Sequence, residues 1–284
     1  MTEPGGHPVT PAIGVDFGTS TSLVAQRTPW GRPELMPLGR TTPWLPSLAG
    51  VQGGRLVVGE EAEDGDPQHL IRSAKRAITD RRDHINHAGE DGEVAEADAV
   101  IGAILAEIVA RAGRAGRWLP GETDLRLGCP AMWDGTQRRR LTDIAEKAGL
   151  PVRGTGLIDE PVAAGVAWLA HRYAEYGDRP TGRLLVFDMG GGTLDLAVLD
   201  IGGGTPPEIS VLACLGVPMA GDALDATIAR DLRDEMRREG FDLDWHPQPG
   251  LAWALLEREA AQAKIRLSRA TEHLIVLPRQ LAYP

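Results

Sequence analysis

Two short stretches carry the residue types best suited to chemistry, "VDFGTSTSLVA" (Val15–Ala25) and "VFDMGGGTLDLAV" (Val186–Val198). Each sets an aspartate, Asp16 or Asp188, at the end of an apolar run, then a glycine-bearing turn, then a second apolar run. Glycine weakens a strand, so the succession Gly190, Gly191, Gly192 needs a reason: a tight turn, or the close approach of something to the backbone. Such a turn, opened in the first stretch by Gly18, can aim successive N–H groups at one spot and bind an anion. The hydroxyls of Thr19, Ser20, Thr21 and Thr193 add donors. The two aspartates would repel a phosphate unless a cation intervened, and Mg²⁺ favours one or two carboxylates together with water and phosphate oxygens. Two ordinary hairpins would explain either turn alone. The same arrangement at matching positions of two halves points to a phosphate and Mg²⁺ site.

The flanking pattern supplies elements to position these turns. "AIGVDFGTSTSLVAQ" reads as strand, turn, strand, and "LMPLG", "SLAGV" and "RLVVG" as short strands. "AEADAVIGAILAEIVARAGRAG" is an amphipathic helix with Ile101, Ile104, Leu105, Ile108 and Val109 on one face. "DLRLGCPAMW" is a buried strand, and a helix follows with Asp134 as N-cap and Gly149 as stop. Pro161 suits the first turn of a third helix. "GDRPTGR" (Gly177–Arg183) is the candidate linker. Beyond it come three strands, two helices ("GDALDATIARDLRDEM" and "PGLAWALLEREAAQAKIRLS") and a strand-like "EHLIVLP". The expected division is a disordered lead-in over 1–11, a first lobe over 12–179 and a second over 183–284.

Composition narrows the partners. The chain has 284 residues and a net charge of −10, which argues against a general nucleic-acid binder. No apolar run is long enough to span a bilayer, and the polar, Pro/Gly-rich start lacks a signal-peptide pattern. Cys129 and Cys214 lie in apolar contexts and read as buried free thiols of a cytoplasmic protein. The tryptophans are scattered as packing residues, and the histidines, His84 and His87 included, show no metal-ligand spacing.

"GVDFGTSTSLVA", "LIDEPVAAGVAW" and "LLVFDMGGGTLDLAVL", in that order, resemble the first phosphate loop, connecting segment and second phosphate loop of the Hsp70 chaperone ATPase domain, within the actin/hexokinase/Hsp70 superfamily. "GCPAMWDGTQRRRLTDIAEKAGL", "PMAGDALDATIARDL" and "AKIRLS" resemble further family segments, so the likeness runs from about Ile13 to Ser268. It implies an α/β fold of two actin-like lobes (ribonuclease H-like duplicated mixed sheets flanked by helices), the second lobe incomplete, with ATP or ADP and Mg²⁺ in the cleft. It further implies that Asp16 and Asp188 hold the Mg²⁺ shell through water and that Gly190, Gly191, Gly192 and Thr193 contact phosphates with Thr19, Ser20 and Thr21. Glu160 matches the connecting-segment acid, Asp195 the second acid of the second loop, and Lys264 and Ser268 positions that touch adenosine.

The chain departs from the family pattern in three places. Within "VVGEEAEDG", Glu63 falls where the family carries a lysine important for hydrolysis, while "SAKRAI", with Lys75, matches a structural segment; with the alignment shifted by a few residues, Arg72 or Lys75 would supply the charge instead. Ala261 and Ile265 stand where the family frames adenine with a glutamate and an arginine. The last glycine-rich adenosine motif and a peptide-binding domain are missing from the sequence. Three functions follow in order: a chaperone-type ATPase with a protein client or partner, in which hydrolysis drives lobe closure; a slow or inactive nucleotide-sensing module; and a small-molecule kinase of the same superfamily.

Overall fold

The computed structural model describes residues 12–28, 32–66, 69–86, 94–115, 124–204, 206–277 and 279–281. The expected lead-in, and Trp30, His87 and Trp118, lie outside the described residues.

The first strands, β1 (Ala12–Phe17) and β2 (Thr21–Arg27), form a hairpin, and the short β3 (Glu34–Leu35) and β4 (Leu45–Pro46) both pair with β2. A small sheet follows: β5 (Ala49–Gln52), β6 (Arg55–Val58) and, beyond the single-turn helix α1 (Glu60–Glu63), β7 (Leu70–Ile71). Next come α2 (Arg76–Thr79), the hairpin β8 (His84–Asn86) and β9 (Val94–Glu96), and the long helix α3 (Ala97–Arg114). Then β10 (Asp124–Cys129), α4 (Gly135–Lys147), β11 (Leu157–Asp159) and α5 (Glu160–Tyr176) complete the first half. The second half holds β12 (Gly182–Met189), β13 (Leu194–Ile201), β14 (Ile209–Val217), α6 (Gly221–Arg238) and α7 (Pro249–Leu267). The expected strand at "EHLIVLP" does not form: residues 272–277 pair as a strand with none of the described residues. Without a partner strand, apolar alternation alone does not make one.

The main sheet runs β11-β10-β1-β2-β3, with β1 parallel to β10 and antiparallel to β2. Ile13, Val15 and Phe17 turn one face of β1 into the core, where α3 presents Val100, Ile101, Ile104, Leu105 and Ile108. Val109, expected on that face, lies at its margin. Asp134 caps α4 as expected. Its carboxylate accepts from the N–H groups of Thr136 and Gln137, and the Gln137 side chain accepts from the Asp134 N–H, satisfying donors at both positions.

The second sheet, β12-β13-β14, is antiparallel throughout, where a mixed sheet was expected. One of its faces packs on α5. Gly165 makes that approach possible, since a Cβ there would lie 2.4 Å from a Leu199 methyl and 3.2 Å from Val186. On the other face the register aligns Leu185 with Val198, Phe187 with Leu196 and Leu215, and Met189 with Leu194 and Val217. That face is open: Leu185, Phe187 and Leu215 are 64%, 63% and 61% exposed. Helices α6 and α7 bury a separate small core of Ala229, Leu243, Ala252, Leu255, Leu256 and Ala260. Among the described residues no helix is long and apolar enough to cross a membrane.

Candidate functional site between two glycine turns

The two turns singled out in the sequence close in the same way. The Gly18 N–H donates to the Thr21 carbonyl at 3.1 Å, and the Gly190 N–H donates to the Thr193 carbonyl at 3.0 Å. They face each other across the cleft. A Cβ at Gly191 would sit 2.4 Å from Ser20 Oγ, and one at Gly192 would sit 2.9 Å from Thr19 Oγ1. Glycine is therefore required where the backbone of one turn meets the hydroxyls of the other. The first turn is anchored from behind by the Ser47 N–H donating to the Ser20 carbonyl, 2.9 Å, and by the buried Ser22–Ser47 hydroxyl pair at 2.8 Å. Thr19 and Thr193 are buried, while Ser20 and Thr21 are exposed to the cleft.

Strand ends bring the acids in. Asp16 lies one residue before the end of β1, and Asp188 lies opposite Asp195 in the β12–β13 register. Asp195 is fully buried, and its Oδ1 accepts from the Ala131 N–H at 3.0 Å, a bond that crosses from the second sheet to the loop after β10. Glu160 opens α5.

The residue that organises these acids is one that the sequence set in a structural segment and offered, with Arg72, only as the alternative to Glu63. Lys75 is 4% exposed, and its Nζ donates to Glu160 Oε1 at 2.5 Å. The ammonium lies 5.8 Å from the Phe17 ring centre and 5.7 Å from that of Trp133, an aromatic setting that favours a cation. Its charge reaches Asp16, Glu160 and Asp188. Glu63, by contrast, is exposed on α1, away from this cluster and near Arg72. The positive charge among these acids is that of Lys75, and Glu63 makes no contact with them among the described residues. "SAKRAI" does pack, since Ala74, Ala77 and Ile78 are buried, but the same turn carries Lys75 into the cleft. A lysine set among Ala74, Ala77 and Ile78 was the available signal, because burying an ammonium requires a partner.

Burial raises the pKa of Asp16, Glu160 and Asp188, and the Lys75 charge opposes the rise in each. With Asp195 these are four carboxylates around one ammonium, so negative charge is in excess and a further cation is favoured. Among the described residues no three His, Cys, Asp or Glu side chains converge to hold a metal directly.

The two residues expected at adenosine are engaged within their own lobe. Lys264 Nζ donates to the Gly221 carbonyl at 3.1 Å and pairs with Asp225 at 2.7 Å, while Ser268 Oγ donates to the Ile265 carbonyl at 2.7 Å. Ile265 is exposed and Ala261 partly buried. Cys129 is buried, its thiol pushed up to about 12 by burial and 3.2 Å from Arg138. Cys214 is exposed, contrary to the expected burial of both thiols: it pairs with the buried Ala197 on the α5 side of the sheet, but on the edge strand β14, which is exposed over most of its length.

Paired turns, each with an aspartate at the strand end before it, set in two halves around one cleft, define a two-lobed protein of the actin-like ATPase fold. A family model described as "Hsp70 protein" matches residues 85–283. The chaperone protein DnaK of Thermotoga neapolitana is 31% identical over 277 residues, covering 94% of this chain and 42% of that protein. DnaK of Deinococcus proteolyticus is 31% identical over 288 residues (94% and 43%), and DnaK of Prochlorococcus marinus is 31% identical over 298 (96% and 44%). The chain belongs to the Hsp70 family. It spans less than half the length of these relatives.

Proposed function

We propose that this chain binds ATP and ADP with Mg²⁺ between its lobes (residues 12–179 and 183–284) and hydrolyses ATP as the motor of a chaperone-type protein, with hydrolysis coupled to lobe closure. The observation that carries this reading is Lys75, buried among the cleft acids opposite the paired turns. Gly18 and Gly190 spend their N–H groups closing the turns, and the backbone N–H groups of Gly191 and Gly192, with the hydroxyls of Thr19, Ser20, Thr21 and Thr193, receive the phosphates. Asp16 and Asp188 are the residues that would hold a Mg²⁺, which would supply charge neutralisation to the transferred phosphoryl group. Glu160 fixes Lys75, whose ammonium stabilises the same developing charge. Asp195, pinned through Oδ1 by Ala131, offers Oδ2 to orient the attacking water and take its proton. Lys264 and Ser268 flank the nucleoside. Two free thiols suit a reducing, cytoplasmic compartment, and a protein client is the partner this family membership favours.

With Lys75 in the site, the argument from Glu63 for an inactive nucleotide sensor falls away. Phosphate release from Mg²⁺-ATP, measured with and without a sugar acceptor, tests the proposal. Release that needs no acceptor supports it. Absence of release with intact binding supports a sensor, and acceptor-dependent ADP formation supports a kinase.

A further inference from the structure

Ser73 and Asp222 are 149 residues apart, and their side chains meet: Ser73 Oγ donates to Asp222 Oδ2 at 2.6 Å. We propose that this bond is a latch between the lobes that limits release of the bound nucleotide, an inference that rests on the nucleotide-binding reading above. Each end is attached to one side of the phosphate site. Ser73 lies two residues before Lys75, and its carbonyl accepts from the Arg76 N–H at 2.9 Å, so it fixes the turn that delivers the lysine. Its φ of 53° is left-handed, a conformation that among non-glycine described residues only Arg81 shares. Such a backbone is costly for a residue with a side chain and persists where surrounding bonds hold it. At the other end, the Asp222 N–H donates to the Gly191 carbonyl at 2.7 Å and the Gly221 N–H to the Gly190 carbonyl at 3.0 Å. Lys264 locks the same corner through the Gly221 carbonyl and Asp225. Asp222 is thus braced on the second glycine turn itself. Beside the bond, Arg72 adds charge between Glu63 of the first lobe and Glu257 and Asp222 of the second, with Arg258 opposing. A nucleotide gripped by Lys75 and the first turn on one side and the second turn on the other leaves only when those sides part, and this bond holds them together.

Stopped-flow release of N-methylanthraniloyl-ADP with Mg²⁺ tests the latch. A hydrogen bond to a charged group is strong enough that Ser73→Ala and Asp222→Ala should each speed release about tenfold or more. The double variant should release no faster than the quicker single one, because one bond is lost in all three. Ser73→Gly removes the hydroxyl and the backbone strain together, so release matching that of Ser73→Ala assigns the effect to the bond. A difference between them assigns it to the backbone and overturns the latch, as do unchanged or additive rates. Hydrogen exchange on the nucleotide-free protein decides the tie independently. Ser73→Ala should speed exchange in residues 222–229 as well as 76–79, and Asp222→Ala should do the same in reverse. Acceleration confined to the mutated side overturns the tie even if ADP does not bind, whereas reciprocal acceleration without ADP binding would sink the nucleotide reading and leave the tie standing.

Discussion

The two glycine turns are built alike but stand on different foundations. The first rises from β1 at the middle of a covered sheet, backed by a continuous core that takes in Ile13, Val15, Phe17, Ile104 and Leu105. The second rises from a sheet with one face on α5 and the other open along Leu185, Phe187 and Leu215. The charged machinery follows the same division. Asp16, Lys75 and Glu160 come from the first half, and the second half's Asp195 is pinned by a backbone N–H that the first half supplies. The difference teaches that preorganisation of the site is drawn from the first lobe, while the second lobe contributes a turn that other contacts must hold in register.

That comparison can be broken in several ways. The largest effect belongs to Gly191→Val, which places a side chain against Ser20 and should abolish Mg²⁺-ATP binding by titration calorimetry while the fold persists. Unchanged affinity would show that the turns do not form the site. Next, Leu105→Ala in the first core should cost about 2–5 kcal/mol in denaturant unfolding, as buried leucine truncations do. Asp188→Asn should have a smaller, two-sided effect. The folded-state pKa of Asp188 is raised by burial, so folding disfavours its ionised form. That penalty is complete above the raised pKa and fades as pH falls towards the ordinary carboxylate range. The variant should therefore melt a few degrees higher than wild type at neutral pH without nucleotide, the gap closing in acid, while its Mg²⁺ dependence of ATP binding weakens. A variant that melts lower at neutral pH would make Asp188 structural. The smallest effect is expected from Phe187→Ser on the open face, within about 0.5 kcal/mol of wild type, because little water is excluded there. A loss comparable to that of Leu105→Ala would mean the second sheet is covered in solution.

Much of this was legible in the sequence because it depends on local chemistry. The glycine turns, the Asp134 cap and the α3 face each follow from spacing over a few residues. What was not legible depends on contacts far apart in the chain. Lys75 gains its meaning from Glu160, 85 residues away, and Ser73 from Asp222. "EHLIVLP" has strand-like alternation, but pairing is a property of a neighbour, and among the described residues none pairs with it. The exposure of Cys214 likewise reflects the edge position of β14 in its sheet.

The central claim is that Lys75, held by Glu160, supplies the positive charge that the cleft applies to a transferred phosphoryl group. Single-turnover hydrolysis of pre-bound Mg²⁺-ATP tests it most directly. Removing one preorganised donor of this kind costs about 10²–10³ in rate, so Lys75→Met should slow the step by about that factor with nucleotide still bound, while Glu63→Lys should leave it unchanged. A Lys75→Met rate equal to wild type, or acceleration by Glu63→Lys, would contradict the account.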